Sequence, residues 1–463
     1  FLDRMGAAEY YVRLSMSAAG RLRGGPAKAA VFASAMTGSI TGSANANVAT
    51  TGPFTIPMMK KSGFKSETAA GIETAASTGG QIMPPIMGAS AFLIVEFTGI
   101  KYWDVVKVSI LPAILYFLSV YTIVHLEARK GGLEGIPRDQ LERVWTVFKE
   151  GWYYLLPPVL IIIVLMRGQS VPFAGVVGIG SVIVLGGLKG AIGLYEKSRT
   201  VGIGIGDVVG SIIAGLVNVI RALEKGAIRS LPVCAAVAAV GIVMGALFQT
   251  GLGLKFSSMV VALAGDSLFL AIILVGIASF VLGMGLPTSA AYIVLSVMAV
   301  PALLDLGEPW GLSLLGAHLI VFWFSLDSCF TPPVCVPAYT AAGIAQANPS
   351  SAAWAAFRTA KGMYIIPIMF AFTSILLVDQ PLALTQTFVA AVFGFLSTGA
   401  VIVGHMYVRL GAIERTILSI GALGLFWPWL IFQIAGGLIL ATIFVSQRVR
   451  YSKSLVSDGT PVE

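Results

Sequence analysis

The segment from residue 38 to residue 52 places polar side chains at nearly every second position between apolar stretches of the chain. It reads Gly-Ser-Ile-Thr-Gly-Ser-Ala-Asn-Ala-Asn-Val-Ala-Thr-Thr-Gly, and Pro53 follows directly. In hydrocarbon an unpaired backbone polar group is costly, so a segment of this kind is tolerated where it lines a cavity or binds a ligand. It therefore predicts the tip of a re-entrant helical hairpin, and the alternative is a small-residue face for close helix packing.

The composition places this segment in a membrane. The 463 residues are 57% hydrophobic and 11% charged, whereas soluble domains carry about 25% charged residues. We therefore expect an all-α polytopic membrane protein whose partner is the lipid bilayer. The net charge of +8 arises from basic residues in loops, which is typical of cytoplasmic loops. No nucleic-acid binding is expected from it.

The second half of the chain repeats the pattern of the first. A polar tip at residues 283–290 interrupts an apolar stretch, as residues 38–52 do. Consecutive prolines then break a later apolar stretch in each half, and the breaks at Pro84 and Pro332 are 248 residues apart. Paired interruptions at corresponding positions of two halves indicate a transporter binding site at the membrane midplane.

Charge indicates that the two repeats are inverted. Lys60 and Lys61 flank the first hairpin, and Asp305 and Glu308 flank the second. Because basic residues favour the cytoplasmic side, we expect the first hairpin to enter from the cytoplasm and the second from outside. The expected fold is thus two inverted repeats, each a hairpin plus a Pro-Pro-broken helix, beside a scaffold of further helices.

The expected organisation divides the chain into seven parts. They are 1–25, a remnant of a preceding helix with a cytoplasmic loop; 26–100, the first repeat; 101–230, scaffold helices and a polar connector; 231–266, a span and link; 267–346, the second repeat; 359–447, C-terminal scaffold helices; and 448–463, a polar tail. Residues 26–100 and 267–346 together would form the transport domain.

Broken helices bring backbone amides and carbonyls into one cavity. Amide ends of helices suit an anionic substrate, whereas carbonyls and hydroxyls suit a hard cation such as Na⁺. The candidate neutral oxygens are those of Ser39, Thr41, Ser43, Asn45, Thr288, Ser289 and Thr331. For any one hydroxyl, bonding back to its own helix is the alternative. No catalytic constellation or phosphate-binding loop is found, so an enzyme is not expected, and neither is a covalent cofactor.

Asp327 is an acid within the second broken segment, four residues before Thr331. An ionisable residue at membrane depth is costly and points to a function. In one interpretation Asp327 lies beside the cation site and helps bind Na⁺ or carries a proton. In the other it caps exposed amides at the break or faces a watery vestibule, and has no part in coupling.

Five motifs carry a resemblance to a known family. They are residues 23–30 (RGGPAKAA), 42–52 (GSANANVATTG), 75–85 (AASTGGQIMPP), 283–292 (GMGLPTSAAY) and 331–335 (TPPVC). With them the chain resembles the large membrane subunit of tripartite ATP-independent periplasmic (TRAP) transporters, of the fused type associated with TAXI binding proteins. The match runs from about residue 1 to residue 447.

The resemblance implies a secondary transporter that imports small organic anions, such as dicarboxylates or amino acids. Its partners would be a periplasmic TAXI-type binding protein and small-subunit-like helices fused upstream of Phe1, in the cytoplasmic membrane of a bacterium or archaeon. A Na⁺ or H⁺ gradient would drive an elevator movement. The alternative is an ion-coupled carboxylate symporter of a related inverted-repeat fold that needs no binding protein.

The resemblance also extends the site to the remaining positions of the hairpin tips and breaks. These are Gly42, Asn47, Ser77, Thr78, Gly79, Gln81, Pro84, Pro85, Gly283, Gly285, Pro287, Asp327, Pro332 and Pro333. A Na⁺ ion is expected near Ser43, Asn45, Thr288 and Thr331.

Overall fold

The computed structural model describes residues 1–200 and 204–457. Within these ranges the chain forms 20 α-helices joined by short 3-10 turns and loops, which confirms the predicted all-α class. Seven helical segments in the described ranges are long and apolar enough to cross a membrane. The protein is therefore a multi-pass membrane protein.

The first ten helices cover the first repeat and the helices after it. They are α1 (Ala7–Ala19), α2 (Gly25–Thr41), α3 (Ala44–Lys61), α4 (Ser66–Gly79), α5 (Ala89–Thr98), α6 (Tyr102–Lys130), α7 (Val144–Gly151), α8 (Leu156–Met166), α9 (Val171–Thr200) and α10 (Ile205–Thr250). The other ten cover the second repeat and the C-terminal helices. They are α11 (Leu252–Ala264), α12 (Leu268–Gly283), α13 (Thr288–Gly307), α14 (Leu314–Phe324), α15 (Val336–Ala345), α16 (Pro349–Thr359), α17 (Gly362–Phe372), α18 (Pro381–Val403), α19 (Ala412–Leu425) and α20 (Leu430–Ser457).

The predicted first hairpin is formed by α2 and α3, which are joined by two residues. Gly42 ends α2 in the left-handed conformation, with φ of 62°, which a residue without Cβ adopts at low cost. Ser43 then begins α3, and its Oγ accepts a hydrogen bond of 3.4 Å from the backbone N–H of Ala46. This N-cap satisfies one of the donors left free at the start of a helix.

The broken segment of the first repeat consists of α4, a 3-10 turn at Gly80–Ile82, a loop and α5. The Pro84–Pro85 peptide in the loop is cis. The N–H of Gly88 donates to the carbonyl oxygen of Gln81 at 2.7 Å and closes the loop. The chain therefore breaks its helix where the consecutive prolines predict a break.

The second repeat has the same order of elements. Helices α12 and α13 form a hairpin with a tip at residues 284–287, and α14 is followed by a 3-10 turn at Asp327–Cys329, a loop and α15. The Pro332–Pro333 peptide is also cis.

The two broken segments run antiparallel. Helix α4 packs against α15, and α5 packs against α14, so the first half of each segment lies beside the second half of the other. Lys60, at the end of α3, donates to the carbonyl oxygen of Ala345 at 2.6 Å. A cation at a helix C-terminus is favourable, and here it joins the two repeats at one end. This arrangement is the inverted one predicted from charge.

One long helix differs from the expected organisation. The boundary expected between residues 230 and 231 lies inside α10, which runs through this point as 46 continuous residues that include Pro232. Proline is tolerated inside membrane helices because neighbouring groups satisfy the freed carbonyl. Most apolar side chains of α10 are exposed, as expected of a helix that faces lipid.

Candidate functional site

Side chains from both repeats meet at one point. Gln81 of the first broken segment places Nε2 at 3.9 Å from Sγ of Cys329 in the second broken segment. Thr288, at the tip of the second hairpin, places Oγ1 at 3.7 Å from the same sulfur. Gly283, on the other side of that tip, lies beside Ser328, where an added Cβ would come within 3.7 Å of the serine side chain. The second hairpin tip thus rests on the second break, and Gln81 of the first repeat contacts that break at Cys329.

The first hairpin tip rests on the first break in the same way. A Cβ added to Gly38 would lie 2.5 Å from Cα of Gly80 and 2.7 Å from Nδ2 of Asn47. A Cβ on Gly42 would lie 2.8 Å from the carbonyl oxygen of Met87. The glycines therefore allow backbone-to-backbone contact between the hairpin and the broken helix.

In the described part of the chain, each repeat holds one buried amide or carboxylate oxygen without a hydrogen-bond donor, besides an unpaired hydroxyl at Thr37 in the first repeat and at Ser279 in the second. The amide and carboxylate oxygens are Oδ1 of Asn47 and Oδ1 of Asp327. The amide of Asn47 is oriented by its Nδ2, which donates to the carbonyl oxygen of Ser34 at 2.8 Å. Unpaired buried oxygens are costly and call for a partner. Amide and carboxylate oxygens are ligands that hard cations prefer, so both residues fit an ion-binding role.

Glu73 is a buried carboxylate that sequence reasoning did not place in the site. It lies on α4 with no exposed surface. Its oxygens accept hydrogen bonds from Thr51 at 2.5 Å, Thr55 at 2.7 Å, Ser34 at 2.9 Å and Ser77 at 3.1 Å. The cluster ties α2, α3 and α4 together. A sequence signal existed in the i, i+4 spacing of Thr51 with Thr55 and of Glu73 with Ser77, which puts each pair on one helix face.

Several predicted hydroxyls bond to their own helix. Ser39 donates to the carbonyl oxygen of Met36, Thr41 to that of Gly38 and Thr78 to that of Thr74. Such bonds satisfy the hydroxyl locally. In this conformation the three residues therefore contribute to the site through the packing of their backbone and not through their hydroxyls.

The four residues expected around Na⁺ have separate partners here. Ser43 caps α3, Oδ1 of Asn45 accepts from Thr340 at 2.8 Å, Thr288 contacts Cys329, and Thr331 forms a hydrogen bond with the hydroxyl of Tyr364. Within residues 1–200 and 204–457, no hydrogen bond joins any two of the four. Thr288 thus lies at the Cys329 contact, and Asn45 joins the first hairpin to α15 of the second repeat.

The remaining predicted residues shape the breaks and tips. A Cβ on Gly79 would lie 2.3 Å from the ring of Tyr116, Gly285 has φ of 82°, Pro287 directly precedes α13, and Ser289 is buried in the first turn of α13. Helices α3 and α13 begin at the hairpin tips, and α5 and α15 begin just after the breaks. Four helix N-termini therefore surround the central region, and their partial positive charges favour an anion.

Comparisons with known proteins agree with this architecture. The family described as "Tripartite ATP-independent periplasmic transporter, DctM component" matches residues 1–382. The C4-dicarboxylate TRAP transporter large permease protein DctM of Pseudomonas aeruginosa is 27% identical over 172 residues, which are 37% of this chain and 40% of that protein. The isethionate TRAP transporter permease protein DctMQ of Oleidesulfovibrio alaskensis is 23% identical over 367 residues, which are 75% of this chain and 51% of that protein.

A third relative is named for another anion. The sialic acid TRAP transporter permease protein SiaT of Haemophilus influenzae is 24% identical over 157 residues, which are 34% of this chain and 25% of that protein. The chain thus spans from a quarter to about half of the length of these relatives.

Proposed function

The chain belongs to the DctM-component family of tripartite ATP-independent periplasmic transporters, and on this premise we propose that it is the permease of a secondary active importer of small organic anions. It is a transport protein and not an enzyme. In this proposal a periplasmic binding protein of TAXI type delivers the anion to the permease in the cytoplasmic membrane of a bacterium or archaeon. Small-subunit-like helices accompany the permease, as the fused DctMQ relative suggests.

The observation that carries the proposal is the contact of Gln81, Thr288 and Cys329. It lies where the hairpins and breaks of two inverted repeats meet, which is the place expected for a transporter substrate. Four helix N-termini surround it and favour negative charge. The names of the relatives support an anion, since C4-dicarboxylates, sialic acid and isethionate all carry an acidic group.

The coupling ion in this proposal is Na⁺, or alternatively H⁺, transported together with the anion. The unpaired oxygens of Asn47 and Asp327 support a cation site in each repeat, and Ser43, Asn45, Thr288 and Thr331 would complete these sites after a small rearrangement. The two repeats would then move as one body, elevator fashion, against α6 and the C-terminal helices. The packing of α4 on α15 and of α5 on α14 joins the repeats, which supports a shared transport body.

Uptake into proteoliposomes tests the proposal. The purified permease, with any accompanying small subunit, is reconstituted and given a radiolabelled anion with its binding protein under an inward Na⁺ gradient. We expect accumulation that requires both the binding protein and the gradient, and that ceases when K⁺ replaces Na⁺ at constant pH. Accumulation without the binding protein would favour the independent symporter instead. Accumulation that follows only a pH gradient would assign H⁺ as the coupling ion.

A further inference from the structure

A cavity lies between α6, α18 and α20. Its volume is about 600 Å³, and its walls are mostly apolar, with Leu118 from α6, Phe393 from α18 and Leu440 and Phe444 from α20. The family match ends at residue 382, so α19 and α20 and nearly all of α18 lie beyond the matched region. The cavity is thus formed where these C-terminal helices meet α6.

One end of the cavity is basic. His125 and Arg129 line it at the end of α6, and Nζ of Lys28 lies 3.0 Å from Nδ1 of His125. The guanidinium of Arg129 stacks over the ring of Tyr407 at 3.7 Å from the ring centroid. Stacking on the ring fixes the orientation of the planar guanidinium and leaves the N–H donors at its edge available. Donors arranged in this way can hydrogen-bond to a phosphate.

This basic end has no acidic counterpart. In the described part of the chain, no carboxylate oxygen lies within salt-bridge distance of Arg129 or Lys28, whereas Glu127 on the same helix end pairs with Arg358 at 2.8 Å. The cavity therefore combines an apolar body with an uncompensated positive end, which matches the two parts of an anionic lipid.

The dimensions match one leaflet of a bilayer. The lining runs along α6 from Leu118 to Arg129, which is about 16 Å at the helical rise of about 1.5 Å per residue. The hydrocarbon of a bilayer is ~30 Å thick, so a single leaflet is about half of that. The basic end lies on the side that the basic loops indicate as cytoplasmic.

We propose that this cavity binds one anionic phospholipid of the cytoplasmic leaflet. The acyl chains lie along α6 between α18 and α20, and the headgroup phosphate accepts hydrogen bonds from Arg129, while buried Lys28 adds positive charge behind His125. Basic sites between membrane helices on the cytoplasmic side are a recognised setting for anionic headgroups. The lipid would fasten the C-terminal helices to α6, because its chains contact both.

Lipid retention by purified variants tests this proposal. Protein extracted in mild detergent is incubated with phosphatidylglycerol or with phosphatidylcholine, and bound lipid is counted by native mass spectrometry. The variant Arg129→Gln removes the charge, and Gly437→Leu fills the cavity, because a Cβ at Gly437 meets no atom within 4 Å. The matched control is Arg448→Gln, an exposed arginine of α20 outside the cavity.

The wild type should retain about one phosphatidylglycerol and less phosphatidylcholine. Arg129→Gln should lower phosphatidylglycerol retention roughly fivefold, as expected for the loss of one basic contact, and leave phosphatidylcholine unchanged. Gly437→Leu should lower retention of both lipids, and Arg448→Gln should behave as the wild type. Added inorganic phosphate alone should not raise the melting temperature, whereas phosphatidylglycerol should.

Three results would overturn the proposal. Equal retention of the two lipids would contradict a site for the headgroup. A loss of phosphatidylglycerol in Arg448→Gln as large as that in Arg129→Gln would show general attraction of lipid to a basic surface. Crosslinking of a cysteine at position 437 to a second copy would show that a helix occupies the cavity. If Arg129→Gln does not fold, Arg129→Lys keeps the charge and Gly437→Leu still decides whether the cavity holds lipid.

Discussion

Gln81 and Cys329 are equivalent positions of the two repeats and they contact each other. Nε2 of Gln81 lies 3.9 Å from Sγ of Cys329 across 248 residues of sequence, which is also the separation of Pro84 and Pro332. A position that meets its own equivalent lies near the axis relating two inverted repeats. Any substrate bound there would contact both repeats at once.

A crosslink at this contact should stop transport. In a background in which Cys234 and Cys335 are replaced by alanine, Gln81→Cys should react with Cys329 through a short bifunctional thiol reagent, since the native contact is 3.9 Å. With a bis-methanethiosulfonate, which forms a disulfide with each cysteine, uptake should fall to background after crosslinking and recover on reduction. Adding Cys329→Ala to the same background gives the control, whose uptake rate should be the same before and after treatment with the reagent. Crosslinking without loss of uptake would place the transport path elsewhere.

The contact between Gly38 and Gly80 predicts that one methyl group added at Gly38 greatly lowers uptake. In Gly38→Ala the new Cβ would lie 2.5 Å from Cα of Gly80, so the hairpin has to move away from the break. Overpacking of this kind costs about 1–3 kcal/mol, and uptake should be largely lost. Gly343→Ala is the control, because its Cβ meets no atom within 4 Å. Equal uptake rates for the two variants would contradict a close-contact role for Gly38.

The buried carboxylate of Glu73 predicts a stability effect. In Glu73→Gln an amide replaces one carboxylate oxygen that accepts from Thr51, Thr55, Ser34 or Ser77. Lost or unsatisfied buried hydrogen bonds cost on the order of 1–3 kcal/mol. The melting temperature in detergent should therefore fall, whereas Glu96→Gln, at an exposed position of α5, should leave it unchanged. A fall of equal size in both variants would mean that Glu73 has no special part in the packing of α2, α3 and α4.

Local signals predicted most of the fold and less of the site. Hairpin tips and helix breaks are marked by glycine and proline within a few residues, and antiparallel packing of α4 on α15 followed from loop charges. The hydroxyl donors of Glu73 come from three helices, and which of them meet depends on packing distances that no local pattern carries. For the same reason Ser39 and Thr41 could not be told from ion ligands, although both bond to their own helix.

The inverted arrangement predicts opposite accessibility of the two hairpin ends. Gly307 at the end of α13 is unsuitable for a cysteine, because it packs against Leu312, where a Cβ would come within 2.7 Å. Exposed Lys61 and Glu308 are therefore better sites for single cysteines. In a background lacking native cysteines, Lys61→Cys should react with a membrane-impermeant maleimide only after the membrane is opened. Glu308→Cys should react in intact cells. Reaction of both in intact cells would contradict the topology.

The contacts of Asp327 bear on the two interpretations of its role at the second break. In the described part of the chain its Oδ1 is buried without a hydrogen-bond donor, and no backbone N–H is found to donate to its side chain. A capping role requires such a bond, so the described contacts give no support to capping, and the coupling role stays a prediction. Asp327→Asn keeps shape and removes the charge and the exchangeable proton.

We expect Asp327→Asn to insert and to bind the delivered anion, yet to lose accumulation driven by a cation gradient. Counterflow of anion across proteoliposomes without a gradient measures the binding and exchange that remain. Asp305→Asn, at an exposed position near the end of α13, is the matched control and should accumulate anion as the wild type does. Because a cation needs the carboxylate charge at membrane depth, the half-saturating Na⁺ concentration should also rise in Asp327→Asn wherever activity remains. Full accumulation with unchanged Na⁺ dependence would leave Asp327 a structural residue of the break.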